Sequence, residues 1–147
     1  MLKETLTIDL VTTDLSGRDK NSVINALLDL ACNSGKIKDR DLALKDLLEH
    51  ETKMSTGMQN GIAIPHAKSD AVDELVACVG VTKRKVEFEN LDRKPSQIFI
   101  MTLSPKEGQG PHVQFLAEIG RLLVDASIRK RIIKAKTDQD LLDILMA

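Results

Sequence analysis

The chain predicts an α/β fold in which a single-layer mixed β-sheet is flanked by helices on both faces. Two observations carry that expectation. Residues 75–81 and 98–103 are continuous apolar runs of strand length, and strands that are apolar on both sides need cover on both faces. Elsewhere, apolar residues recur at three- and four-residue steps, the period of amphipathic helices able to supply that cover.

Taken in order, residues 5–11 are mixed in character and predict a short strand or extended arm. Over residues 18–34, Val23, Ile24, Leu27, Leu28, Leu30 and Ala31 fall on one helical stripe, and Gly35 follows as a C-terminal cap. Asp39 is placed to cap a second helix, marked by Leu42, Leu44, Leu47 and Leu48 and expected to end near Glu51. Residues 55–68 hold two of the chain's eight glycines and one of its three histidines, and Pro65 fixes the backbone just before His66. That chemistry suits neither a helix nor a long strand; it suits a loop that presents one imidazole.

After the first apolar run, Val86 and Phe88 alternate with charge as a half-buried strand would. Residues 104–111 form a turn-rich loop, with Pro111 suited to the start of a helix that carries His112, Phe115, Leu116, Ile119, Leu122 and Leu123 on one stripe. Two short helices close the chain. Ile128, Ile132 and Ile133 mark one; the other begins at a Thr137-x-x-Asp140 cap and carries Leu141, Leu142, Ile144 and Leu145. No internal repeat or linker interrupts residues 1–147, which are expected to form a single domain.

Composition excludes several classes of function. Lys and Arg total 21 against 22 Asp and Glu, so no basic face for nucleic acid is implied, and an aromatic content of 2% leaves few stacking platforms. Cys32 and Cys78 both sit in apolar stretches and read as small buried hydrophobes, without a disulfide framework or metal spacing. The first ten residues, with Lys3, Glu4 and Asp9, do not make a signal peptide, and no apolar run approaches the roughly 18 residues of a membrane span. No membrane insertion is expected, and the cytoplasm is the default location.

The chemistry points to an anion. His66 follows a glycine-rich loop, and His112 opens a helix after Gly108-Gln109-Gly110-Pro111, where unpaired N–H groups and the positive end of the helix dipole favour negative charge. Ser55, Thr56 and the backbone of Gly57 and Gly61 add donors if the loop folds back; as hydroxyls of a loop, Ser55 and Thr56 equally well cap the turn. A neutral imidazole attacks phosphorus with its free nitrogen while a carbonyl or carboxylate holds the other. Phosphoryl transfer asks for little beyond positioning and charge stabilisation.

These residues carry a family resemblance. Leu47, Leu48, Glu49, Glu51, Ser55, Thr56, Gly57, Asn60, Gly61, Ile62, Ala63, Ile64, Pro65 and His66 resemble the active-site pattern of EIIA domains of the fructose and mannitol class of the bacterial phosphoenolpyruvate-dependent phosphotransferase system, which includes the nitrogen-regulatory EIIA proteins. The resemblance continues through Ser104-Pro105 to His112, Leu116 and Ala117. It implies a phosphotransferase component of mixed-sheet fold without a cofactor: His66 is phosphorylated by the carrier HPr, on the nitrogen remote from the backbone, and His112 supports it. The acceptor it implies is an EIIB domain in sugar uptake or, in the regulatory branch, phosphorylation that controls binding to a target protein. Two positions depart from the pattern. The family arginine expected to help hold phosphate is His50, able to substitute only when protonated, and the glycine after the active histidine is Ala67. A metal-dependent hydrolase using His50, His66 and His112 ranks last, because their spacing matches no local ligand motif.

Overall fold

The computed structural model describes residues 2–108 and 110–147, so Gln109 of the expected turn lies outside the described residues. The elements are α1 (Leu2–Thr5), β1 (Val11–Thr12), α2 (Lys20–Ala31), α3 (Arg40–Lys53), β2 (Ile62–Ala63), β3 (His66–Lys68), β4 (Val76–Val86), β5 (Ser96–Ser104), α4 (Gly110–Leu123), α5 (Ala126–Lys134) and α6 (Asp138–Met146). Short 3-10 turns precede β1 at Ile8–Leu10 and follow α2 at Cys32–Ser34.

The sheet runs β1-β4-β5-β2, with β3 also on β5. Strands β4 and β5 are antiparallel, whereas β1 lies parallel to β4 and both β2 and β3 lie parallel to β5. The mixed sheet is the expected one. Strand β4 absorbs Val86 into a single strand of 11 residues, with a register shift between Val81 and Val86. Phe88 lies beyond it, fully buried against Phe99.

Paired residues on neighbouring strands point to the same face, and this fixes what covers the sheet. Cys78 reaches the Leu27 carbonyl of α2, while Thr102, one position along from its partner Met101, reaches His112 of α4. Helices α2 and α4 therefore cover opposite faces. Helix α3 packs beside α2 and against β3, at the sheet edge.

Local chemistry explains the helices. Asp19 and Ser22 close a reciprocal capping box at α2, whose stripe Val23, Ile24, Leu27, Leu28 and Ala31 is buried, and Gly35 takes the left-handed turn after it at φ 71°. Asp39 accepts the Leu42 N–H at 3.1 Å, and Thr137 accepts the Asp140 N–H at 3.0 Å. Helix α3 runs on to Lys53 rather than ending near Glu51, and the two added residues bring Lys53 to the site. The N-terminus departs from expectation: α1 and a 3-10 turn occupy most of the proposed arm, and only Val11–Thr12 is strand. In α5, Ile132 is buried but Ile133 faces solvent.

Candidate active site

Strands β2 and β3 are one edge strand broken in two. Ile62 pairs with Ile98 and His66 with Thr102, so the register against β5 is the same on both sides of Ile64-Pro65. Proline has no N–H for a ladder bond, and at the break Ile64 turns away from β5: its N–H goes to the Thr56 carbonyl at 2.9 Å. Its carbonyl oxygen meets Nδ1 of His66 at 2.6 Å. A carbonyl only accepts, so Nδ1 carries the proton and Nε2 keeps the lone pair.

The three histidines come together. The rings of His50 and His66 lie 4.5 Å apart between centroids, and those of His66 and His112 5.8 Å. They share a cleft of about 460 Å³ with Asp46, Glu49, Lys53, Ala67 and Lys68. His112 hangs over the sheet from the first turn of α4, its Nε2 2.9 Å from the Thr102 hydroxyl. Burial disfavours the imidazolium form of His112, and the neighbouring His66 and Lys68 add to that, so it titrates below the ordinary histidine value. His50 is also held below that value, chiefly by burial and then by His66; Glu51 opposes the shift, and Lys53 adds to it. Nδ1 of His50 is buried and finds no hydrogen-bond partner among the described residues.

Ser55, Thr56 and Gly57, expected as anion donors, do not line this cleft; they hold the loop. Glu51, buried on α3, accepts from the Thr56 N–H at 2.9 Å, the Thr56 hydroxyl at 2.6 Å and the Lys20 ammonium at 2.8 Å. Burial pushes the Glu51 carboxyl up, but these donors outweigh it and hold the group below the usual glutamate range. The Ser55 hydroxyl donates to the Phe88 carbonyl at 2.8 Å and receives the Gly57 N–H at 3.2 Å. A Cβ on Gly57 would stand 2.4 Å from the Phe88 carbonyl oxygen, so only glycine fits there.

Several lining residues were not anticipated, although their spacing carried a signal. Asp46 and Lys53 stand at helical steps on either side of the anticipated His50 on one face of α3, and Lys68 shares its strand face with His66 two residues before it. Thr102 gave no such signal, because its role depends on where α4 crosses the sheet. Among the described residues, no group of three or more His, Cys, Asp or Glu side chains is arranged to hold a metal ion, so the hydrolase reading finds no ligand set. Nor is any helix of the described residues long and apolar enough to cross a membrane.

The class of protein that this fold and cleft define is a small α/β phosphotransferase domain. The chain belongs to the family described as phosphoenolpyruvate-dependent sugar phosphotransferase system, EIIA 2, whose sequence pattern it matches over residues 4–147. It is 35% identical over 138 residues to a fructose-specific EIIA component of Haloferax volcanii, covering 94% of this chain and 90% of that one. A nitrogen regulatory protein of Pseudomonas aeruginosa is 27% identical, covering 99% of this chain and 94% of that one. In structure the chain resembles the mannitol enzyme IIA of Escherichia coli, solved in complex with its phosphorylated enzyme IIB, with a TM-score of 0.83, 16% identity and 97% coverage of each chain. At that identity the likeness establishes the fold alone.

Proposed function

We propose that residues 1–147 act as one phosphocarrier domain, in which Nε2 of His66 accepts a phosphoryl group from phosphorylated HPr and passes it to an EIIB component for sugar uptake. The observation that carries the reading is the contact of His66 Nδ1 with the Ile64 carbonyl at 2.6 Å. It fixes the tautomer, aims the ring and leaves one nucleophilic nitrogen. In the transfer, the Nε2 lone pair forms the new N–P bond, and the electron pair of the donor's N–P bond returns to the donor imidazole. His66 keeps its Nδ1 proton throughout. His112, held by Thr102, supports the phosphoryl group from the other wall of the cleft.

The acceptor is inferred from the fructose-specific relative and from the fold shared with a mannitol enzyme IIA that was solved with enzyme IIB. A regulatory role, in which phosphorylation of His66 controls binding to another protein, is the second reading, favoured by the near full-length similarity to a nitrogen regulatory protein.

Incubation with phosphoenolpyruvate, enzyme I and HPr should label the protein with one acid-labile phosphate, and His66→Ala should abolish the label. Label that survives in His66→Ala overturns the assignment. Loss of phosphate from the labelled protein to a sugar-specific EIIB separates transport from regulation.

A further inference from the structure

The fixed charges that line the histidine cleft are of both signs. Its lining sets the carboxylates of Asp46 and Glu49 against the ammonium groups of Lys53 and Lys68. With neutral imidazoles these four lining charges sum to zero, with Lys45 standing 3.9 Å from Glu49, so a phosphoryl group bearing up to about two negative charges arrives without a dedicated counter-charge. His50 is placed to answer it. The His50 ring stands 4.5 Å from the His66 ring, within the range over which opposite charges stabilise one another strongly, and it is tilted at 51° rather than stacked flat. Its Nδ1 is buried and unpartnered among the described residues. A buried ring nitrogen with no partner is unusual and calls for a ligand or a change of protonation.

We propose that His50 is the counter-charge of phosphorylated His66: it is neutral in the free protein and takes up a proton from solvent when the phosphoryl group arrives, so that phosphorylation of this chain is coupled to proton uptake. The inference rests on the phosphocarrier reading of His66. The proton adds to the lone pair of His50 and no bond of His50 to phosphorus forms. On onward transfer the N–P bond at His66 breaks, the phosphoryl group leaves, and His50 returns its proton to solvent.

The charged and titratable groups around His50 fit this behaviour. On α3 itself, Glu51 favours the imidazolium and Lys53 opposes it; Asp46 and Glu49 of α3, His66 and Lys68 of β3 and His112 of α4 line the same cleft. Glu51 is committed to Lys20 and Thr56 and is not available to pair with it directly. Burial and His66 keep His50 uncharged until the phosphoryl group changes the balance.

The test is a pair of NMR titrations of the histidine rings, one on the free protein and one on protein phosphorylated through phosphoenolpyruvate, enzyme I and HPr. In the phosphorylated form the midpoint of His50 should rise by about 1–3 pH units, and phosphorylation near neutral pH should take up protons measurably in weak buffer. His50→Gln should abolish the proton uptake and shorten the life of the phosphorylated form. His50→Arg, with a permanent charge, should restore that life while leaving proton uptake absent. Label on His66 with an unmoved His50 midpoint, or proton uptake unchanged in His50→Gln, overturns this inference alone. Absence of label on His66 overturns the phosphocarrier reading and this inference with it.

Discussion

Thr102 decides how His112 meets the cleft. Its hydroxyl, buried on β5, holds Nε2 of His112 at 2.9 Å and so leaves Nδ1 as the ring nitrogen not bound to the sheet. A single hydrogen bond of this kind contributes about 1 kcal/mol net, but its loss strands a partly buried ring nitrogen and frees the ring to rotate. Thr102→Val keeps the shape of the side chain and removes only the hydroxyl. Phosphoryl transfer to His66 should slow by about tenfold, equivalent to about 1.4 kcal/mol of barrier, while the final amount of label stays at one phosphate. Thr102→Ser should recover most of the rate. A Thr102→Val protein that accepts phosphate at the parent rate would reduce Thr102 to a packing residue.

At the scale of elements, the loop between α3 and β3 is rigid for reasons that lie mostly outside it. Asn60 and Gly61, both at positive φ of 61° and 76°, make the tight turn closed by the Ile62 N–H on the Gln59 carbonyl at 3.3 Å, a pairing for which Asn-Gly is well suited. The rest of the loop is held by Glu51, Lys20 and the Phe88 carbonyl. Gly57→Ala drives a Cβ into that carbonyl and into Asn90, and since the first of these is backbone, the loop must shift. A cost of about 1–3 kcal/mol follows, seen as a fall in Tm of roughly 2–12 °C at 2–4 °C per kcal/mol. Label should be slower as well, because Ile64 hangs from Thr56, the residue just before Gly57. A variant with unchanged Tm would show that the loop relaxes freely. The sequence made the capped helices, both long strands and the loop with His66 legible, because those signals are local in period or composition. Asp39 and Thr137 cap as their spacing implies. It did not show how close the ring of His50 comes to His66, since that contact depends on where α3 passes the sheet edge beside β3. The two-residue strand β1 was equally hidden, for so short a segment has no period, and its pairing with Val79 and Gly80 is set by β4.

For the molecule as a whole, the buried titratable groups of the cleft and its support make stability depend on acid in two stages. His50 and His112 titrate below the ordinary value of 6.5 in the folded protein. As pH falls below that value the unfolded chain binds protons that the folded protein refuses, and stability declines until the folded pKa values are passed. Both rings are partly exposed, so solvent limits each contribution to about 1 kcal/mol or less. Glu51 acts in the same direction but lower: its folded pKa lies below the ordinary 4.5, so its contribution is full above that value and is lost as pH falls through the folded pKa. Thermal unfolding of the unphosphorylated protein should therefore give a flat Tm near neutrality, a decline of a few degrees, at about 2–4 °C per kcal/mol, as pH falls below 6.5, and a steeper one below 4.5. A His50→Gln, His112→Gln double variant should lose the first decline and keep the second. In the phosphorylated protein the sign at His50 reverses. A pKa raised above the unfolded value makes its contribution full in mild acid and lost as pH rises through the folded pKa, so phosphorylation should flatten the upper decline or invert it. The same double variant, phosphorylated, should show no such reversal; a reversal that persists without His50 would place the responding group elsewhere in the cleft.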